Sequence, residues 1–184
     1  MTNKQIYVSL SSGHADTDCG AVAKDGTTEA ELVTQFRNIV AYYVQQDKNI
    51  HLKVDGYGKQ NLPLKDAVKL IDGSDISLEF HMNASENTTA QGVEVLSQEK
   101  DKVVSQQIAK AIADVMGSKL RGDKGWKSEG SGQHSRLAWV SNGGILVEIE
   151  FLSNKERSQV FKDKMWLVGK AVAQVVLDYV KTQK

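Results

Sequence analysis

Residues 6–54, IYVSLSSGHADTDCGAVAKDGTTEAELVTQFRNIVAYYVQQDKNIHLKV, decide how the fold is read. Ile6 to Leu10 is short and apolar, as a buried strand should be, and it runs into the Gly- and Asp-rich turn SSGHADTDCGA. From Glu29 to about Gln46, apolar residues recur as Leu32, Val33, Phe36, Ile39, Val40, Tyr43 and Val44. That spacing predicts a helix with one face on a core. Thr28 and Glu31 stand at the spacing of a capping box for its start. Ile50 to Val54 reads as a second strand. Strand, helix and strand in succession predict an α/β layer fold, a sheet covered by helices.

The rest of the chain continues the alternation. A short helix is expected after Pro63, the only proline. Ile76–Met82 and Gly92–Leu96 read as strands, and Val103, Val104, Ile108, Ala111, Ile112 and Val115 mark a second long helix. LAWV (137–140) and Ile145–Phe151 read as further strands. Phe161, Met165, Val168, Val172, Val176 and Tyr179 mark a C-terminal helix, with Trp166 expected in its core. The least regular stretch, GDKGWKSEGSGQHSR (122–136), is too long for an ordinary connection, which makes it a functional loop or a mobile one. There is no internal repeat or linker, so residues 1–184 are expected to form a single catalytic domain.

Composition narrows the function. At 184 residues with 40% apolar content the chain can bury a substantial core. Its 23 basic residues balance 23 acidic ones, so no global field favours nucleic acid or an anionic membrane. Cys19 is the only cysteine, which excludes an intramolecular disulfide and a cysteine-based metal cluster; it is expected to be a small buried thiol. No segment approaches the roughly 20 apolar residues of a membrane span. The N-terminus shows no apolar stretch of the signal-peptide kind, so the chain as encoded is expected to be soluble and without an export signal.

Four histidines are available, at positions 14, 51, 81 and 134. His14 follows the first strand and His81 lies near the end of another, where α/β sheets present functional groups. Glu29, at the start of the first helix, is the candidate third ligand. Two imidazoles and one carboxylate would hold one Zn²⁺ with a position left for water. Glu148, within the apolar run GGILVEIEFLSN, is the candidate general base, since a carboxylate in so hydrophobic a strand calls for a partner or a function. The residues alone leave alternatives open. Glu29 also suits the positive end of a helix dipole, and Glu148 could be half of a buried ion pair. His51 is expected at the surface. His134 could touch substrate or face solvent, and Trp126 could stack on a sugar or pin its loop to the body.

Taken together, these segments resemble the zinc-dependent N-acetylmuramoyl-L-alanine amidases of the amidase-3 family. The opening pattern, Gly-His-x-x-x-Asp-x-Gly-Ala, is present as Gly13, His14, Asp18, Gly20 and Ala21. Glu29 with Leu32, then His81 with Asn83 and Ala84, then the strand Gly92–Val95 follow in the family's order. Arg121 and Gly122, and finally Leu146, Val147, Glu148, Phe151, Ser153 and Asn154, complete the set. The resemblance implies a twisted, mostly parallel sheet with helices on both faces. It implies His14, Glu29 and His81 as zinc ligands and Glu148 as catalytic carboxylate. The implied substrate is peptidoglycan, cut between N-acetylmuramic acid and the L-alanine of the stem peptide. A leaderless chain of this kind resembles a phage or prophage endolysin, made in the cytoplasm, monomeric, and reaching the wall after release. The rival readings are a zinc endopeptidase of the stem peptide and a non-catalytic wall-binding module. The chain departs from the family at Ala15 and Asp16, at Glu79, at Glu150, and over Asp55–Leu64, where the usual Thr-Arg pair is missing. Residues two apart share a strand face, so Glu79 is expected near His81 and Glu150 near Glu148. Each could add a ligand, raise a neighbour's pKa through like charge or, as expected here, pair with a lysine.

Overall fold

A computed structural model describes residues 5–14, 18–131 and 137–183. Its strands are β1 (Ile6–Ser12), β2 (Ile50–Val54), β3 (Ile76–Asn83), β4 (Glu94–Ser97), β5 (Trp126–Ser128) and β6 (Ile145–Phe151). Its helices are α1 (Glu29–Val44), α2 (Leu64–Ala67), α3 (Lys102–Met116), α4 (Ala138–Ser141) and α5 (Lys155–Thr182). The strands form one sheet in the order β2-β1-β3-β6-β4-β5. All neighbours run parallel except β4 and β6. No helix among the described residues is long and apolar enough to cross a membrane.

Period-two alternation along the strands gives the sheet two unlike faces. Val8, Leu10, Leu78, Phe80, Ile145 and Val147 point into the main core and are buried. There they meet Phe36 and Val40 of α1, Ile108 and Ile112 of α3, and Phe161 and Val168 of α5. The opposite face carries Ser9, Ser77, Glu79 and Leu146, and Ser9 Oγ donates to Ser77 Oγ at 2.6 Å. A 3₁₀ turn at Val68–Ile71 packs on β1 and β3 there, and α4 packs on β6. The polar face runs up to the carboxyl edge of the sheet, so it delivers Glu79, His81 and Glu148 to one end of the molecule.

α1 starts where its sequence predicts. The Thr28 side chain accepts from the Glu31 amide, and the Glu31 carboxylate accepts from the Thr28 amide, both at 3.2 Å. These bonds satisfy two donors that a helix start leaves free. Arg37, fully buried on α1, pairs with Asp55, just after β2. Asp55 also accepts from Ser11 Oγ and the Ser12 amide, each at 2.9 Å, and so ties α1 and the β2 exit to the end of β1.

Three expectations are corrected. LAWV is not a strand: α4 begins at Ala138, and Trp139 and Val140 are buried through a helical turn. Trp166 is not core but 56% exposed, because it follows Met165 and so turns away from the stripe formed by Phe161, Met165 and Val168. It rests edge-on against Tyr42 and Tyr43 at the molecular surface. The stretch 122–136 is not wholly irregular, since Trp126–Ser128 pairs with β4.

Candidate metal centre and base

His14 leaves the end of β1, Glu29 opens α1, and His81 sits on β3, next to β1 in the sheet. One ligand atom from each lies within 4.8 Å of the others. His14 Nε2 is 3.3 Å and His81 Nδ1 is 3.2 Å from the same oxygen, Glu29 Oε1. The two imidazoles meet edge to face with centroids 5.2 Å apart. Each far ring nitrogen has its own carboxylate: His14 Nδ1 lies 3.1 Å from Asp18, and His81 Nε2 lies 3.2 Å from Glu79. Such outer carboxylates fix the tautomer and aim of a ligating histidine. Glu29 is aimed in turn by the backbone, accepting from the Met82 amide at 2.9 Å and the Ala21 amide at 3.0 Å.

The charges follow. Hydrogen bonding to Glu29 raises the pKa of His14 above 6.5. Burial pulls His81 down, but its bonds to Glu29 and Glu79 outweigh that and hold it well above 6.5. For Glu29 burial acts upward, and the two histidines overcome it, so its carboxyl stays ionised far into the acid range.

Two glycines of the opening motif have a steric cause. A Cβ at Gly13 would occupy the space of the His81 ring. Gly20 has φ of 63°, and a Cβ there would come within 2.7 Å of both Glu29 Oε2 and the His14 ring. The backbone therefore approaches the histidines as only glycine allows.

Glu148 lies beside His81 across the β3–β6 pair. It is only 9% exposed, and its Oε2 has no hydrogen-bond partner among the described residues. Burial pushes its carboxyl up to about 7. The alternative of a buried ion pair with Lys or Arg is not seen among the described residues.

A family model for N-acetylmuramoyl-L-alanine amidases matches residues 8–178. The chain belongs to this amidase family. The fold is also that of a Neisseria meningitidis protein provisionally named N-acetylmuramoyl-L-alanine amidase, with 44% identity, 96% of each chain covered and a TM-score of 0.89. An N-acetylmuramoyl-L-alanine amidase from Clostridium difficile 630 shares the fold at 21% identity and TM-score 0.82, over 98% of this chain and 100% of the other. The catalytic domain of CwlV, an amidase of Bacillus (Paenibacillus) polymyxa var. colistinus, does so at 20% and 0.82, over 96% and 98%. No curated protein matches the chain significantly. The chain is thus a peptidoglycan amidase by family, with an α/β fold built on a mostly parallel sheet.

Within this amidase the remaining polar residues sort by contact. Glu79 binds His81 and not a lysine. Glu150 is not beside Glu148, because a register shift in the β3–β6 pair turns it away, toward the Gly92 amide, Ser118 and Arg157. Cys19 is exposed, with the polar work of its turn done by Asp18, which accepts from the Gly20 amide at 3.1 Å. His51 is exposed and stacks on Tyr7. Trp126 pins its loop: its Nε1 donates to Ser97 Oγ at 3.0 Å, and Lys102 caps the ring at 4.4 Å. His134 and Arg136, like Ala15 and Asp16, lie outside the described residues. Sequence reasoning missed the group beside Glu148: Glu94 opposite it on β4, bound by Arg121, Lys127 and Asn83.

Proposed function

We propose that the protein is a zinc-dependent N-acetylmuramoyl-L-alanine amidase, hydrolysing the bond between N-acetylmuramic acid and the L-alanine of the stem peptide. The observation that carries this reading is the convergence of His14, Glu29 and His81 beside the buried, partnerless oxygen of Glu148. The donor set suits Zn²⁺, with two imidazole nitrogens, one carboxylate oxygen and an outer carboxylate behind each histidine. When bound, Zn²⁺ lowers the pKa of a coordinated water and polarises the scissile carbonyl.

The chain's own residues do the rest. His81 offers Nδ1 to the centre while Glu79 holds its Nε2. Asp18 holds the far nitrogen of His14 in the same way. Glu148, buried beside His81, can take a proton from the attacking water and return it to the departing L-alanine nitrogen. Burial raises its carboxyl above the ordinary 4.5 in the metal-free protein, which works against the lowering that a bound cation would bring. Peptidoglycan lies outside the inner membrane, so the enzyme acts on that side. An endolysin role adds one demand, that cells making the protein in their cytoplasm stay intact until their inner membrane is breached.

Mass spectrometry of peptidoglycan digested with zinc-loaded protein tests the reading. Free stem peptides beginning with L-alanine are expected from the wild type, and none from Glu148→Ala or from chelated enzyme. Cuts inside the stem would make it an endopeptidase. Wall binding without products would make it a binding module.

A further inference from the structure

We propose that Arg121 and Lys127 form an anion subsite that takes a carboxylate of the stem peptide during amide cleavage, an inference that rests on the amidase reading above. Glu94, 7% exposed, faces Glu148 directly across the antiparallel β4–β6 pair. It accepts from Arg121 Nε at 2.6 Å, Lys127 Nζ at 2.7 Å and Asn83 Nδ2 at 2.9 Å. One carboxylate needs one cation. Here it has two, and the cluster carries a surplus positive charge.

That surplus is turned toward a groove. Arg121 and Lys127 line a cleft of about 240 Å³ together with Asn83, Ser85, Glu94 and Ser131. Their side chains are 38% and 24% exposed, open enough to meet a ligand and covered enough to limit screening. Only Nε of Arg121 is engaged, and its terminal guanidinium nitrogens have no protein partner among the described residues. The guanidinium lies 4.9 Å from the centre of the Phe151 ring, which supports its plane. A Cβ at Gly92 would come within 2.9 Å of the Arg121 stem, so a glycine there leaves it room. The cleft starts at Asn83, two residues beyond His81, and at Glu94, opposite Glu148. A ligand held there borders the strands that carry His81 and Glu148.

The geometry selects the ligand class. A guanidinium edge beside an ammonium matches a planar carboxylate, and Glu94 pre-orders both cations so that little freedom is lost on binding. The peptide leaving an amidase is the part of the substrate that bears carboxylates, whereas the glycan is neutral at most positions. Cations that merely neutralised Glu94 would show no preference for an acidic substrate.

Calorimetry on zinc-loaded Glu148→Gln separates these cases without turnover. The probes are a muramoyl tripeptide with a free carboxylate on its second residue and the same compound with that carboxylate as carboxamide. The acid is expected to bind about tenfold or more tightly, as for a hydrogen bond to a charged group. Adding Arg121→Gln or Lys127→Gln should remove most of the preference, and each leaves Glu94 one cation, so the fold is retained. Equal affinity for the two compounds would overturn the subsite. So would a preference that survives both substitutions, which would place the carboxylate on the metal. If wild-type enzyme releases no stem peptide from peptidoglycan, the amidase reading fails, while the difference in binding still reports on the subsite.

Discussion

Glu148 should destabilise the metal-free protein, and the cost should grow with pH. The carboxyl is buried in the fold and titrates near 7, against an ordinary value of 4.5. The sign follows from which state holds the proton. Below 4.5 the group is protonated in both states and costs nothing. Between 4.5 and about 7 the unfolded chain ionises while the folded chain keeps its proton, so stability is lost as pH rises, until the folded group ionises too. At about 1.4 kcal/mol per pH unit the penalty levels off at roughly 3 kcal/mol. Glu148→Gln keeps the shape and removes the titration. Urea unfolding of wild type and variant, in chelator, at several pH values from 4.5 to 8 measures the difference. The unpaired amide of glutamine adds its own cost, but an equal one at every pH, so the readout is the change in the stability difference. The variant should gain about 3 kcal/mol on the wild type from the acid to the alkaline end. For a chain of this length that is a relative gain in Tm of roughly 6–12 °C. A stability difference flat with pH would refute the buried, unpartnered placement of this carboxylate.

Two further outcomes follow from the cradle. Gly13→Ala should displace the His81 ring and weaken zinc binding at least tenfold by competition with a chromophoric chelator, while far-ultraviolet circular dichroism stays unchanged; unaltered affinity would disprove the steric account of the motif. Glu79→Ala should weaken zinc binding about 10- to 100-fold, as for loss of an outer carboxylate, and Glu79→Gln, which can still accept from Nε2, should recover part of it; equal affinities in all three proteins would mean that Glu79 does not position His81.

How much of this was legible depended on whether local pattern or distant packing decided each residue. The α1 stripe, the capping box at Thr28 and Glu31, and β6 from Ile145 to Phe151 all follow from short-range periodicity, and all appear where that periodicity puts them. So does the shared face of Glu79 and His81 on β3. Alternation cannot say, however, which group Glu79 will meet, and a histidine two residues away on the same face was nearer than any lysine. Glu150 was unreadable for a different reason. The irregularity in the β3–β6 register breaks the rule that residues two apart share a face, and no residue in GGILVEIEFLSN announces it. LAWV is apolar enough for a strand, but four residues cannot distinguish one from a buried helical turn. Cys19 is placed by residue type, since small thiols are usually covered, and Trp166 by its membership of the C-terminal helix pattern. In each case the neighbouring residue, Asp18 or Met165, takes the inward or bonded position instead.

The carboxylates at this edge of the sheet explain why a cation belongs at its centre. Glu29, Glu79, Glu94, Glu148 and Glu150 are all buried there. The flanking pair are neutralised by long basic side chains, Glu94 by Arg121 and Lys127, and Glu150 by Arg157. At the centre, Glu29 and Glu79 have only the imidazoles of His14 and His81, and Glu148 has no cation bonded to it among the described residues. A fold selected for stability alone could have placed an arginine there as readily as it did at position 157. It has instead left the centre short of positive charge and ringed it with ligand atoms, and Glu148 carries a cost of roughly 3 kcal/mol in the metal-free state. Such a penalty is tolerated where function depends on the same group. A divalent ion between the histidines would supply the missing charge, favour the ionised form of Glu148, and so turn an unstable carboxyl into a base beside the water it must activate.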